Sequence, residues 1–451
     1  MGRSLVKYLG LLIVLWGCGG LLAACGLSYA TPATSPTALT LTGKGSSSAM
    51  LGIATPPPSP TVIPTPTPWP APQGEIVLWE QLNPAQLTVL QSKIEAFQKL
   101  YPEVQFDLHH FEGEQINSEP GREPHLLIAP NVLAGAWQRS QLILPLDPLF
   151  EPKFLEGFAP NVLQGLSFGG QVWALPYDFG QTLLLYYNKK LVEPDEVPNS
   201  WEAFTTYVRA NPIKKNQYYP FAADLTDPDL LLAILGAFGG SLLDSQNQPH
   251  LNTEPMRQTL QFLQDTVYKY KLAIVEPNYA TLGFLFRAGR VSFMIARSEN
   301  LASYQHPDLS NRLELGVAHL PRLNGQELTP PSHGLAYFIG RAAQNDQAKL
   351  ATLRAFLLFV STPEEQRDLP TLLKLLPPTQ AGLNDPLVKD DPLLVAVAAQ
   401  LQNSKAIWST PEWKAVIEAV RLPLRNVVAD RASATEGAAA MQDLALKNLK
   451  K

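Results

Sequence analysis

Between residues 31 and 74 this chain has almost nothing with which to build a core. Pro56-Pro57-Pro58 is followed by Pro60, Pro64, Pro66, Pro68 and Pro70, and Lys44 is the only charge before Glu75. Prolines at this density, with hydroxyls between them and few large apolar side chains, favour extended polyproline-like backbone. Residues 25–74 therefore read as a tether, and folding falls to the roughly 375 residues behind it, which suits two lobes better than one. Both cysteines, Cys18 and Cys25, precede that region, so no thiol is available there for a disulfide or a metal site and packing must hold it together.

From Glu75 the pattern changes. Ile76-Val77-Leu78-Trp79 reads as a buried strand, Leu87, Leu90, Ile94 and Phe97 stripe a helix, and Val104, Phe106 and Leu108 alternate as in a half-buried strand. His125 to Ala129 is a further short strand, with Asn131 placed to cap the helix behind it. The second half repeats this grammar. Helices are expected from Asp227 to Phe238, along Met256, Leu260, Leu263, Val267 and Tyr270, and along Leu350, Leu353, Leu357 and Val360. Strands are expected at Val291 to Ile295, Leu313 to Ala318 and Leu335 to Ile339, and Ser433 to Glu436 is a capping-box pattern opening a last helix. Strands alternating with helices imply α/β lobes with mainly parallel sheets.

Catalytic and metal motifs are scarce. There is no HExxH, no P-loop and no dinucleotide glycine fingerprint, so neither a metal nor a cofactor is implied. Gly165-Leu166-Ser167-Phe168-Gly169 matches a nucleophile elbow in letters, but Gly169-Gly170 leads into strand-like Val172 to Leu175 and reads as a hairpin turn. A surface serine hydrolase using Ser167 is the rival from another class. A net charge of -5 lacks the basic footprint of a nucleic-acid binder.

At the N-terminus, Arg3 and Lys7 precede an apolar run from Tyr8 that is too short to span a bilayer comfortably and reads as a secretory signal over residues 1–24. Leu22-Ala23-Ala24-Cys25 closes it and resembles the lipobox of bacterial lipoproteins. That resemblance implies acylation of Cys25 and anchoring to the outer face of the cell membrane.

Gly170-Gln171-Val172-Trp173-Ala174-Leu175-Pro176-Tyr177-Asp178-Phe179-Gly180-Gln181, then Leu183 to Lys189 and Pro198-Asn199-Ser200-Trp201, resemble the central signature of extracellular solute-binding proteins of the maltose-binding-like family. Phe97 to Val104, Leu144-Pro145-Leu146-Asp147, Phe286 to Arg290 and Thr362-Pro363-Glu364-Glu365 fall in the family's order. The resemblance implies a two-lobed periplasmic-binding-protein fold of type II with three hinge crossings, near Asp178 to Gln181, His333-Gly334 and Pro377-Pro378. The first lobe would hold 75–178 and 335–376, the second 182–332 and 379–451.

The same resemblance implies a non-enzymatic receptor that delivers a small solute, a mono- or oligosaccharide, to the permease of an ABC importer. A sensory or structural lipoprotein on the same scaffold is the alternative. Counting from the Tyr-Asn-Lys motif, a sugar-contacting carboxylate of the maltose binders falls at Gln181. Their acidic-Pro-aromatic contact becomes Asp227-Pro228-Asp229, and the position of a Trp platform is Glu299. Either the ligand differs from maltose or rings such as Trp137, Trp173, Tyr177 or Trp408 supply the platform. Asp178 and His333, at the hinge, complete the ligand candidates.

Overall fold

A computed structural model describes residues 68–116, 120–212, 219–272, 279–406 and 410–450. The signal run, Cys25, most of the tether and Trp408 lie outside the described residues.

The first lobe is built on a five-stranded sheet in the order Val104–His110, Gly74–Glu80, Leu126–Pro130, Leu335–Ile339, Leu175–Pro176. Gly74–Glu80 is parallel to both neighbours, whereas Leu335–Ile339 enters antiparallel to the strands on either side. Parallel neighbours need a crossover, supplied here by the helix Pro84–Leu100. Its start is set locally, because Asn83 accepts from the Gln86 amide while the Gln86 side chain accepts from the Asn83 amide. Leu90 and Phe97 are fully buried, and Phe97 meets Phe356 of the Gln347–Val360 helix edge-on at 5.3 Å. The first lobe is thus completed by chain that returns from the second.

The second lobe has a four-stranded sheet in the order Leu315–Ala318, Leu183–Asn188, Val291–Arg297, Tyr219–Ala223. All six residues of Leu183–Asn188 are buried, which is what a strand covered on both faces requires. Leu183 and Leu185 join a cluster with Phe204, Leu231 and Val420, while Leu184 and Tyr186 face Phe286 and Leu394. The period of two along this strand therefore divides the lobe into three layers. The last helix, Ala434–Asn448, opens with the reciprocal Ser433/Glu436 cap.

The two sheets are mixed and not mainly parallel as expected: Leu335–Ile339 and Leu183–Asn188 are each antiparallel to both of their neighbours, and Leu335–Ile339 reaches the first sheet from the second lobe and not through a crossover within the sheet. Asn131 does not cap a helix: it stands one residue too late, as the first residue of a short 3₁₀ turn, its side-chain Oδ1 is buried without a hydrogen-bond partner, and its main-chain N–H donates to Gly334 O at 2.8 Å. Around Ser167 the expected hairpin forms, with Ser167–Phe168 paired antiparallel to Gln171–Val172 and Gly169 and Gly170 at φ of 62° and 76°. The Ser167 hydroxyl donates to Leu163 O at 2.7 Å, and no strand feeds it from behind as an elbow requires.

The chain leaves the first sheet after Pro176, enters the second at Leu183, and comes back between Ser332 and Leu335. The two crossings pair as an isolated antiparallel bridge, Gln181 N–H donating to His333 O and His333 N–H to Gln181 O, at 2.5 and 2.8 Å. A third pass lies alongside, since Phe179 N–H donates to Leu376 O at 2.8 Å. Close approach here depends on two missing side chains. A Cβ on Gly180, at φ of 107°, would sit 2.4 Å from Ser332 Oγ and 2.9 Å from His333 O, and one on Gly334 would sit 2.8 Å from Asp178 Oδ1.

Gly180→Ala is accordingly expected to destabilise the protein by about 2 kcal/mol or more, through left-handed backbone and a clash with the return crossing. Urea unfolding should show a lower midpoint at unchanged slope. A variant indistinguishable from wild type would mean the crossings do not need this contact.

Candidate functional site

A cavity of about 670 Å³ lies between the lobes, a size typical of small-molecule sites. Glu114, Leu133, Ala136 and Arg139 form its first-lobe wall, and His333 enters from the return crossing. The second lobe contributes Asp227, Asp229, Tyr279 and Arg297, together with one face of the Pro411–Val428 helix.

The deep wall is a compact ion network. Pro228 occupies the first turn of the helix Pro228–Ala237, and the Asp-Pro-Asp start brings two carboxylates to one end. Asp227 caps that helix through the Asp229 amide at 2.8 Å, and also binds Arg297 Nη2 at 3.0 Å and the Tyr279 hydroxyl at 2.5 Å. Asp229 Oδ2 lies 2.6 Å from Arg297 Nη1 and 2.7 Å from His333 Nε2. Burial keeps the Asp227 carboxyl above the usual carboxylate range despite Arg297. Burial pushes Asp229 the same way, but the hydrogen bond and charge of His333, with Arg297, reverse it and hold it below. The arrangement binds and orients. One guanidinium is spread over two acids, and His333 ties the hinge crossing to the second lobe.

At the mouth, Lys414 Nζ pairs with Glu114 Oε2 from the facing lobe. Among the described residues, Trp413 and Tyr279 are the Trp and Tyr rings that line the cavity.

Of the ligand candidates read from the sequence, Asp227, Asp229 and His333 converge on this cavity. The others sit elsewhere. Trp137 is 2% exposed behind the first-lobe wall and donates its indole N–H to Glu114 O at 2.9 Å. Trp173 stacks on Phe168 at 5.6 Å, and Tyr177 packs on Tyr337 at 5.4 Å. Gln181 serves the hinge with its main chain, and Glu299 is exposed. Asp178 is 1% exposed at the hinge, where Oδ1 accepts the Gly180 amide at 2.9 Å. Burial pushes its carboxyl up to about 7, against the opposing pull of the Gly180 and Leu335 amides.

Sequence reading passed over Arg297, Tyr279 and the Pro411–Val428 helix face. Lys414, Glu418, Arg421 and Arg425 recur at helical spacing, a pattern that an isolated sequence presents as a solvated face.

Two α/β lobes, a hinge where the chain crosses repeatedly and a cleft walled by both lobes define a two-lobed, type II solute-binding protein. The family model for bacterial extracellular solute-binding proteins matches residues 115–396, and the chain belongs to that family. Its place of work is therefore outside the cytoplasm. A maltotriose-binding protein of Pyrococcus abyssi (strain GE5 / Orsay) is 25% identical over 369 residues, 79% of this chain and 78% of that one. Among solved structures, a cyclo/maltodextrin-binding protein complexed with maltotetraose superposes with a TM-score of 0.75 at 20% identity, covering 85% of this chain and 99% of that chain. The maltose/maltodextrin-binding domain MalE from Bdellovibrio bacteriovorus bound to maltotriose gives 0.72 at 21%, covering 84% and 100%. The GacH receptor of Streptomyces glaucescens GLA.O gives 0.69 at 22%, covering 84% and 99%. At these identities the structural likeness is one of fold.

Asp178 has a pH signature. Its folded pKa of about 7 exceeds the ordinary 3.8, so the folded state holds the proton more tightly. Stability from that proton is complete below about pH 4 and is lost as pH rises through 7. Asp178→Asn, which keeps the acceptor for Gly180, should gain stability relative to wild type on going from pH 5 to pH 8 in paired urea titrations. Parallel profiles would contradict this.

Proposed function

We propose that this protein is the solute-capturing subunit of an ABC importer, that its solute is a carbohydrate, and that Cys25 carries the lipid that keeps it at the membrane. The observation that carries the capture role is the cavity of about 670 Å³ walled by residues of both lobes, because a solute there makes its full set of contacts only when the lobes are together. Trp413 and Tyr279 offer apolar ring faces, and Thr226, Asp227 and Asp229 offer planar or hydroxyl hydrogen-bonding groups, the combination that suits a hydroxyl-rich ring. Carbohydrate as the class also draws support from the maltotriose-binding relative and from the maltotriose- and maltotetraose-bound neighbours.

The import role rests on family membership and on the tether. Extended at roughly 3 Å per residue, it reaches on the order of 100 Å, enough for an anchored receptor to sample solute and return to its permease. Ser167, bonded to Leu163 in a hairpin, gives no support to the hydrolase reading.

Maltotriose, added to the purified protein in a thermal-shift series alongside other saccharides, polyols and amino acids, should raise the melting temperature if it binds the folded state. Trp413→Ala should then weaken saccharide affinity about tenfold or more in calorimetric titration. Shifts by amino acids or polyols with none by any sugar would overturn the carbohydrate assignment.

For the anchor, Cys25→Ser is expected to move the protein from the membrane fraction to the extracellular soluble fraction. Unchanged membrane retention and unchanged mass would remove the lipid from the proposal.

A further inference from the structure

We propose that the saccharide taken by this cleft carries a negative charge, a carboxylate or a phosphate, held between Arg139 of the first lobe and Arg421 and Arg425 of the second. The inference rests on the carbohydrate reading above and narrows it. It starts from how the charges lining the cavity are already committed. Glu114 pairs with Lys414, and Asp227 and Asp229 share Arg297. Among the described residues the lining carries five carboxylates and five Lys or Arg side chains, and what sets Arg139, Arg421 and Arg425 apart is that no carboxylate is paired with them; the two other lining acids are Asp224 and Glu418.

Asp224 is buried and turned to its own loop, where Oδ1 accepts both the amide and the hydroxyl of Thr226 at 2.9 and 2.7 Å. Glu418 lies one turn from Lys414 and from Arg421 on the same helix, yet pairs with neither. Among the described residues, the side chains of Arg139, Arg421 and Arg425 form no ion pair and no hydrogen bond.

Position makes these three more than solvated surface charges. Arg421 and Arg425 stand one turn apart, about 6 Å along the Pro411–Val428 helix. Arg139 ends the helix Ala134–Arg139 on the opposite wall of the same cavity. A planar guanidinium grips a carboxylate or phosphate through two parallel N–H groups, which a neutral sugar hydroxyl does not reward.

The facing cations also work against an empty closed cleft, since approach of the lobes brings like charges together in a space losing its water. An anion placed between them reverses that term. Charge recognition and closure are then one event, in which the solute supplies the partner that these three guanidinium groups lack.

The test is a calorimetric comparison on the intact chain at low and at physiological salt, with maltotriose, trigalacturonate and glucose 6-phosphate as probes. The proposal expects one or both acidic probes to bind at least tenfold more tightly than maltotriose, with affinity falling as salt rises. Which of the two binds identifies carboxylate or phosphate as the recognised group. Arg139→Gln and the pair Arg421→Gln with Arg425→Gln should each lower the ratio of acidic-probe to maltotriose affinity about tenfold at an unchanged melting temperature. All three positions are exposed, so folding should survive. Maltotriose binding as tightly as both acidic probes, or arginine variants that bind the acidic probe like wild type, would overturn the charge assignment while leaving the carbohydrate reading intact. Binding of no saccharide, neutral or acidic, would sink both.

Discussion

The two lobes are one machine because three passes of backbone touch in a space with no room for side chains. Gly180 and Gly334 supply that space, and the paired amides and carbonyls of Gln181 and His333, with the Phe179 to Leu376 bond beside them, fill it. Backbone hydrogen bonds of this kind bend more readily than a packed interface slides. Where two-lobed proteins close, a few residues of this kind absorb the change, and here they are the ones at these crossings. The first lobe needs this arrangement for its own integrity, since Leu335–Ile339 and Phe356 reach it only through the return crossing. Asp178, buried against both glycines, puts a titratable group at the pivot itself.

Much of the framework was legible because it is written locally. Leu335–Ile339 falls on the short apolar run read as a strand, the Ser433/Glu436 cap forms as its spacing demands, and Gly169-Gly170 turns the hairpin. Asn131 does not serve as a cap because the turn begins at the residue itself, and its main chain is tied to Gly334, far along the sequence. The site was less legible for the same reason. Arg297 closes the cleft network from the end of a strand far along the chain from Asp227 and Asp229, and nothing near it announces two carboxylates. The ring candidates Trp137 and Trp173 satisfied another need of an α/β lobe, filling space at element ends, with each indole N–H given to a nearby carbonyl. Asp227, read from the sequence as the start of a helix and as a ligand candidate, caps that helix and binds Arg297 with the same carboxylate.

The deep network has an energetic character of its own. Two acids and a guanidinium taken largely out of water cost heavily, and mutual attraction roughly returns that cost. Its value lies in direction: Arg297 and His333 fix the acids' orientation, so the wall presents one hydrogen-bonding pattern whether or not a solute is present. A preset wall saves the ordering entropy that a flexible one would lose on binding.

The Glu114–Lys414 contact reaches across the mouth of the cleft, yet both side chains are about half exposed, at 46% and 54%. Such a pair contributes only about 0–1 kcal/mol, a preference of a few-fold between open and shut. It behaves as a magnet on a cupboard door and not as a bolt. Thermal motion breaks such a contact freely, so this pair alone cannot hold the mouth of the cleft shut.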